Sequence, residues 1–172
     1  MGMEQPRDEM WSLTERPGNL RLKAFRPLVT DNLLKAGNTL TQRCFRTNKN
    51  EVIVKMNIEG IVDGQKAGLC HCSKSYAMVG QSGKDRNLEF QTNKEKITGP
   101  AIKGNKVWIK SVWGLDGKSQ FSYSTDGRKF TPFGEGYQLE WGYYRGSRIG
   151  IYCFNNIADA GYIDVDEFIY LY

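Results

Sequence analysis

Only one histidine, His71, occurs in the 172 residues, and that scarcity removes much of the catalytic repertoire. A Ser-His-Asp or Cys-His mechanism would have to run through this single imidazole. No Gly-x-Ser-x-Gly elbow accompanies it, and phosphate-cradling loops and dinucleotide fingerprints are also missing. No run approaches the ~18–20 apolar residues of a membrane span, so no membrane partner is expected. The opening Met1-Gly2-Met3-Glu4-Gln5-Pro6-Arg7-Asp8-Glu9 lacks the apolar centre of a signal peptide. Residues 1–10 read as a linker or an expression-derived remnant, which leaves a secreted, periplasmic or bacterial cytoplasmic location open.

A concentrated basic surface is absent too. The 24 Lys and Arg against 19 Asp and Glu give a formal charge of +5, but the cations are dispersed singly among acids. That pattern is a solvated surface and excludes a nucleic-acid partner from the expectations. The four cysteines are Cys44, Cys70, Cys72 and Cys153. The triplet Cys70-His71-Cys72 invites a metal reading, yet in a strand the two thiols point one way and the imidazole the other. With no second Cys/His pair to complete a tetrahedron, buried free thiols are the better reading. Spacing alone does not decide disulfide pairing.

Glycine (19 residues) and aromatics (12%) are plentiful instead, a pairing that suits an all-β protein with many tight turns. Alternating runs fall at residues 20–25, 38–45, 51–59, 66–71, 76–81, 87–92, 106–113, 119–124, 148–155 and 162–172. The third is the cleanest, with Val52, Val54, Met56 and Ile58 on one face and Ile53 as the intruder. Asp116-Gly117 and Asp126-Gly127 read as hairpin turns, with Asp63-Gly64 in the same part between the third and fourth runs. The one helix-like stretch, residues 31–36, is too short to shape the fold. Ten short strands without βαβ alternation predict a single antiparallel sandwich or barrel over residues 11–172.

Candidate chemistry is sparse. Glycoside hydrolysis uses two carboxylates flanking a cleft. The dense acidic segment Asp164-Val165-Asp166-Glu167 puts Asp164 and Asp166 on one face and Glu167 on the other. This is not a one-face Glu-x-Asp-x-Glu arrangement, so terminal-strand acids or calcium ligands are the readings preferred over an active site. Ser124-Thr125-Asp126-Gly127-Arg128-Lys129-Phe130 looks like a sialidase Asp-box turn, but it occurs once and reads as a plain hairpin. Trp108, Phe121, Tyr123 and Phe168 are expected in the core. The cluster Trp141-Gly142-Tyr143-Tyr144-Arg145-Gly146 differs, since three aromatics and an Arg between glycines cannot all point inward.

The segment Trp11-Ser12-Leu13-Thr14-Glu15-Arg16-Pro17-Gly18, running into Leu20-Arg21-Leu22, resembles the start of the C-terminal β-sandwich of family 43 glycoside hydrolases, the β-xylosidases and α-L-arabinofuranosidases. The likeness continues through Asn38-Thr39-Leu40-Thr41-Gln42-Arg43, Asp63-Gly64-Gln65-Lys66-Ala67-Gly68-Leu69, Tyr76-Ala77-Met78-Val79-Gly80, Phe121-Ser122-Tyr123-Ser124 and Arg148-Ile149-Gly150. It closes on Gly161-Tyr162-Ile163-Asp164-Val165-Asp166-Glu167-Phe168. The order and spacing of these motifs, more than any one of them, carry the resemblance.

The resemblance implies a concanavalin A-like jelly roll of two antiparallel sheets, partnered by a five-bladed propeller that holds the catalytic carboxylates. It implies a non-catalytic accessory domain that shapes the substrate pocket and holds xylan-type oligosaccharide. Trp141, Tyr143, Tyr144 and Arg145 are the candidate sugar contacts, with Gln42 and Arg43 added from a sheet face. Calcium accompanies many jelly-roll sugar binders, and Asp164 or Asp166 would supply its oxygens. The alternatives are an independent lectin-like carbohydrate-binding module and a stand-alone glycoside hydrolase using Asp164, Asp166 or Glu167. Here the family's strand before Trp11 is missing or replaced by residues 1–10, so an exposed sheet edge or former interface is expected.

Overall fold

The computed structural model describes residues 7–142, 144 and 146–172. Its strands, in chain order, are β1 Trp11–Ser12, β2 Leu20–Lys23, β3 Thr39–Arg43, β4 Asn50–Asn57, β5 Gln65–Cys72, β6 Tyr76–Ser82 and β7 Asn87–Thr92. They continue as β8 Lys96–Ala101, β9 Lys106–Trp113, β10 Lys118–Ser124, β11 Thr131–Pro132, β12 Tyr137–Gln138, β13 Arg148–Asn155 and β14 Tyr162–Leu171. One sheet runs β1-β2-β14-β4-β9-β10-β11, with β12 also on β10; the other runs β3-β13-β5-β6-β7-β8. Neighbouring strands pair antiparallel throughout. The expected all-β jelly-roll sandwich is the observed fold.

Period-two alternation sets the packing. Val52, Val54, Met56 and Ile58 are fully buried against Leu69, Val79, Phe90 and Ile149 of the facing sheet. Ile53 points outward and pairs with Ile169 across β14. Trp108 departs from the core expectation: Val107 and Ile109 take the inner positions. The indole therefore lies on the outer face, with the Lys55 ammonium 5.6 Å from its ring. The strand at residues 96–101 escapes the periodicity because it is an exposed edge carrying Gly99 and Pro100, where a proline costs no ladder bond.

The turns follow their residue types. Gly117 and Gly127 have φ of +71° and +73°, and each closes a hairpin from β10. Gly64 is also left-handed, at +79°, but the chain there leaves β4 of one sheet for β5 of the other. That turn is a sheet-to-sheet crossing, not a hairpin.

A short 3-10 turn, Leu33–Lys35, matters more than its length suggests. Leu33 and Ala36 are fully buried against Cys70, Cys72, Tyr76, Met78, Tyr152 and Phe154 on the outer face of the second sheet. Asp31, at φ +58°, anchors this strap. Its carboxylate takes the Lys66 ammonium at 2.7 Å, Lys96 at 3.2 Å and the Asn156 amide at 3.1 Å. Lys66 also bonds Glu89 at 2.6 Å and Gln91 at 2.7 Å, so its three protons are all used. The middle of that face is filled.

The four thiols are free and buried. Cys70 and Cys72 face the strap, while His71 faces the inter-sheet core, as strand alternation requires. At the chain's start, Met10 is 2% exposed and its carbonyl accepts from Asn38 Nδ2 at 3.0 Å, so sandwich packing already includes part of residues 1–10. Among the described residues, β1 has β2 as its strand neighbour and stands at the edge of the first sheet.

β14 lies between β2 and β4, fastened by a buried carboxylate. Asp164 accepts from Arg21 Nε at 2.8 Å and Nη2 at 3.1 Å, and from Arg16 Nη1 at 3.0 Å. Burial alone would raise its pKa; the two guanidiniums outweigh that and hold it below the usual carboxylate range. Asp164→Asn should cost about 2–4 kcal/mol, since it leaves two guanidiniums short of a partner although Arg16 is partly solvated. The gain from Asp164 is present above its unfolded pKa of ~3.9 and is lost as pH falls through its lower folded value. Denaturation midpoints of the two proteins should therefore converge below about pH 4; a constant gap would contradict the ion-pair account.

Candidate functional site

One long side of the sandwich is open, because β3 and β1 are both edge strands. The sheets part there into a groove of about 490 Å³. Leu13, Leu20, Leu40, Ile149, Val165 and Phe168 form its apolar lining, and Gln42, Asp166 and Glu167 stand among the polar residues. Leu13 is 59% exposed. The groove is aliphatic where sugar recognition wants flat rings and hydrogen-bonding pairs.

Beyond Phe168 the same side turns aromatic. Phe45 stacks on Tyr170 with centroids 5.0 Å apart and planes at 17°, and Tyr172 meets Phe45 edge-on at 4.8 Å. Polar bonds fix the stack: Phe45 N donates to the Tyr170 hydroxyl at 2.8 Å, and Trp113 Nε1 donates to Phe45 O at 3.0 Å. Tyr172 stays 78% exposed. Periodicity gave no signal for this cluster, which joins residues about 125 apart in the chain.

The aromatic loop adjoins it. Cys44 N donates to Ser147 O at 2.9 Å, tying the β3 end to the loop stem. Ser147 Oγ accepts from Glu140 N at 2.8 Å and donates to Glu140 O at 3.0 Å. Trp141 packs over the Gly117 turn, with the Arg46 guanidinium 5.8 Å from its ring. It is half-buried and shapes the loop more than it offers a face. Tyr144 is 94% exposed. Tyr143 and Arg145 lie outside the described residues. Gln42 lines the groove, and Arg43 sits across from Arg148 beside the loop stem. The structure thus sets Gln42 in the groove wall, Arg43 by the loop stem and Trp141 over the β9–β10 turn, and does not bring them into one pocket.

The acidic candidates are otherwise engaged. Both Asp164 oxygens accept from guanidiniums, and Asp166 pairs with Lys55 at 2.5 Å, with Glu167 at 3.6 Å from the same ammonium. A bulge between Val165 and Glu167 on β14 breaks the simple alternation that put Asp164 and Asp166 on a shared face. Calcium wants six to eight oxygens at once; carboxylates already saturated by cations do not fit it. No group of three or more His, Cys, Asp or Glu side chains suited to a metal occurs among the described residues.

A family model described as the β-xylosidase C-terminal concanavalin A-like domain matches residues 1–171. The chain belongs to this family. A β-xylosidase from Formosa agariphila is 32% identical over 189 residues, covering 97% of this chain and 32% of that protein. Among solved structures, a bifunctional GH43-CE protein of Bacteroides eggerthii superposes with a TM-score of 0.87 at 25% identity, over 96% of this chain and 22% of that one. The GH43 protein BlXynB of Bacillus licheniformis reaches 0.80 at 22% identity, over 97% and 35%, a likeness of fold. The chain therefore spans about a third or less of the length of the curated relatives it matches, and corresponds to the C-terminal accessory domain of family 43 glycoside hydrolases.

Within this family 43 sandwich, one buried trio resembles catalytic machinery. Cys44 Sγ lies 3.6 Å from His71 Nδ1, and His71 Nε2 lies 2.7 Å from Ser111 Oγ. All three are buried. Burial pushes the Cys44 thiol well up and the His71 pKa down to about 3, so neither thiolate nor imidazolium forms near neutrality, and no substrate reaches them. The trio is core. The unfolded chain protonates this histidine below ~6.5, whereas the folded chain does not until about pH 3. Its contribution to stability is present above pH ~6.5 and falls away as pH drops towards 3. Unfolding midpoints between pH 7.5 and 4 should fall more steeply for the native chain than for His71→Gln; parallel slopes would contradict a neutral buried imidazole.

Proposed function

We propose that the chain is the non-catalytic accessory sandwich of a family 43 β-xylosidase or α-L-arabinofuranosidase, seated beside a five-bladed propeller and holding xylan-type chains at the rim of its pocket. The observation that carries this reading is Tyr144, 94% exposed at the tip of a loop whose stem is pinned by Ser147. A ring so displayed keeps apolar area in water that a stacked sugar face would cover. The apolar groove of Leu13, Leu20, Leu40 and Phe168 suits a protein face, since contiguous exposed apolar surface marks interaction sites. Its place beside the loop lets one partner bury the groove and receive the tyrosine.

Hydrolysis belongs to the partner in this reading. The acids of a stand-alone hydrolase, Asp164, Asp166 and Glu167, are held by Arg16, Arg21 and Lys55 instead of facing each other across a cleft. The lectin-like alternative is weakened by the strap of residues 26–37, which fills the outer face of the second sheet.

The purified chain should not hydrolyse nitrophenyl β-xyloside or arabinofuranoside; turnover by the chain alone would favour the hydrolase reading. Xylohexaose affinity should drop about fivefold to tenfold on Tyr144→Ala, the ~1 kcal/mol of one aromatic contact. Unchanged affinity, measured calorimetrically, would remove Tyr144 from the rim.

A further inference from the structure

The sandwich opens a second time on its other side, between β8 and the β10–β11 turn. The groove there is about 520 Å³, within the range of small-ligand sites. The register of β9 on β10 puts it at the opposite end from the aromatic cluster: Trp113 pairs with Ser119 near that cluster, and Trp108 with Ser124 near this groove. Residues 100–104 make one wall, and Tyr123, Ser124, Thr125, Lys129 and Thr131 the other.

Both walls are stiff. Ile102 N donates to Arg86 O at 3.0 Å, and the Arg86 guanidinium donates to Gly104 O at 3.1 Å and Asn105 Oδ1 at 2.9 Å. Arg86 has φ +54°, a left-handed conformation that a non-glycine residue seldom adopts and that surrounding bonds must hold. Across the gap, Asp126 Oδ1 accepts from Arg128 N, Lys129 N and Ser124 Oγ at 2.8, 2.9 and 2.8 Å. Tyr123 is half-buried, edge-on to Phe133 at 6.1 Å. Lys103 and Lys129 line the groove with no carboxylate partner among the described residues, while Asp126 contributes the one negative charge, already tied to three donors.

We propose that this groove takes an acidic sugar, a uronic acid borne on a xylan-type chain. The Tyr123 ring lies against the sugar, Thr125 and Thr131 meet its hydroxyls, and its carboxylate sits between the Lys103 and Lys129 ammoniums. A single carboxylate suits two ammoniums flanking an aromatic floor; a phosphodiester chain would need a longer stripe of cations than Asp126 permits. The proposal rests on the glycan reading above and adds the class of substituent recognised.

The test titrates isotope-labelled chain with xylotetraose carrying one glucuronic acid and with plain xylotetraose, following backbone amide shifts at low and high salt. The acidic oligomer should bind about tenfold more tightly at low salt, with a preference that shrinks as salt screens it. The shifts should map to Lys103, Tyr123, Thr125 and Lys129. Lys103→Gln/Lys129→Gln should abolish the preference while leaving Tm unchanged. Equal affinities in the native chain, or a preference that survives the double substitution, would overturn the site. Binding of both oligomers elsewhere rejects the groove and spares the glycan reading; binding of neither rejects both.

Discussion

Insertion of the last strand between the second and the fourth is the constraint on which the rest depends. β14 pairs with β2 through Tyr162 to Val165 and with β4 through Asp164 to Leu171. The first sheet therefore cannot close until both ends of the chain have met. Asp164, between Arg16 and Arg21, holds that meeting by charge, and Leu22, Ile163 and Val165 hold it by apolar burial. Because so much pairing is distant in sequence, folding must bring the ends together before most contacts pay back the lost chain entropy.

The same closure produces the two open sides. A sandwich has two long sides where its sheets stop, and each here has a different chemistry. The β1/β3 side is largely aliphatic and then aromatic, running from Leu13 past Phe168 to Phe45 and Tyr170. The other side, by β8, is polar and basic. The strap anchored by Asp31 and Lys66 fills the middle of the second sheet's outer face, which leaves the sides and ends of the sandwich open.

Much of the fold was legible because alternation is a local signal. Val52, Val54, Met56 and Ile58 keep the alternation despite the intruding Ile53, and the Asp-Gly turns need left-handed glycines. Residues 96–101 were not legible, since an edge strand with Gly99, Pro100 and outward Lys96 lacks a buried face to pattern it. Trp108 shows the limit of residue type: size suggested the core, but its position between Val107 and Ile109 sets it outside. The site was harder still. The exposure of Tyr144 followed from glycine-flanked crowding, whereas the Phe45–Tyr170–Tyr172 stack and the Asp164 clamp join residues that no local window contains. The partners of Asp164 were hidden for the same reason, because its two guanidiniums come from the other end of the chain.

The central claim is that the β1/β3 side of this sandwich is a face for a catalytic partner. Amide hydrogen exchange, compared between the free chain and the chain joined behind a family 43 propeller, tests it most directly. Exchange should slow in residues 13–20 and 39–43 and in the loop carrying Tyr144, while the outer face of the first sheet stays unchanged. Protection confined to that outer face, or none at all, would contradict the account.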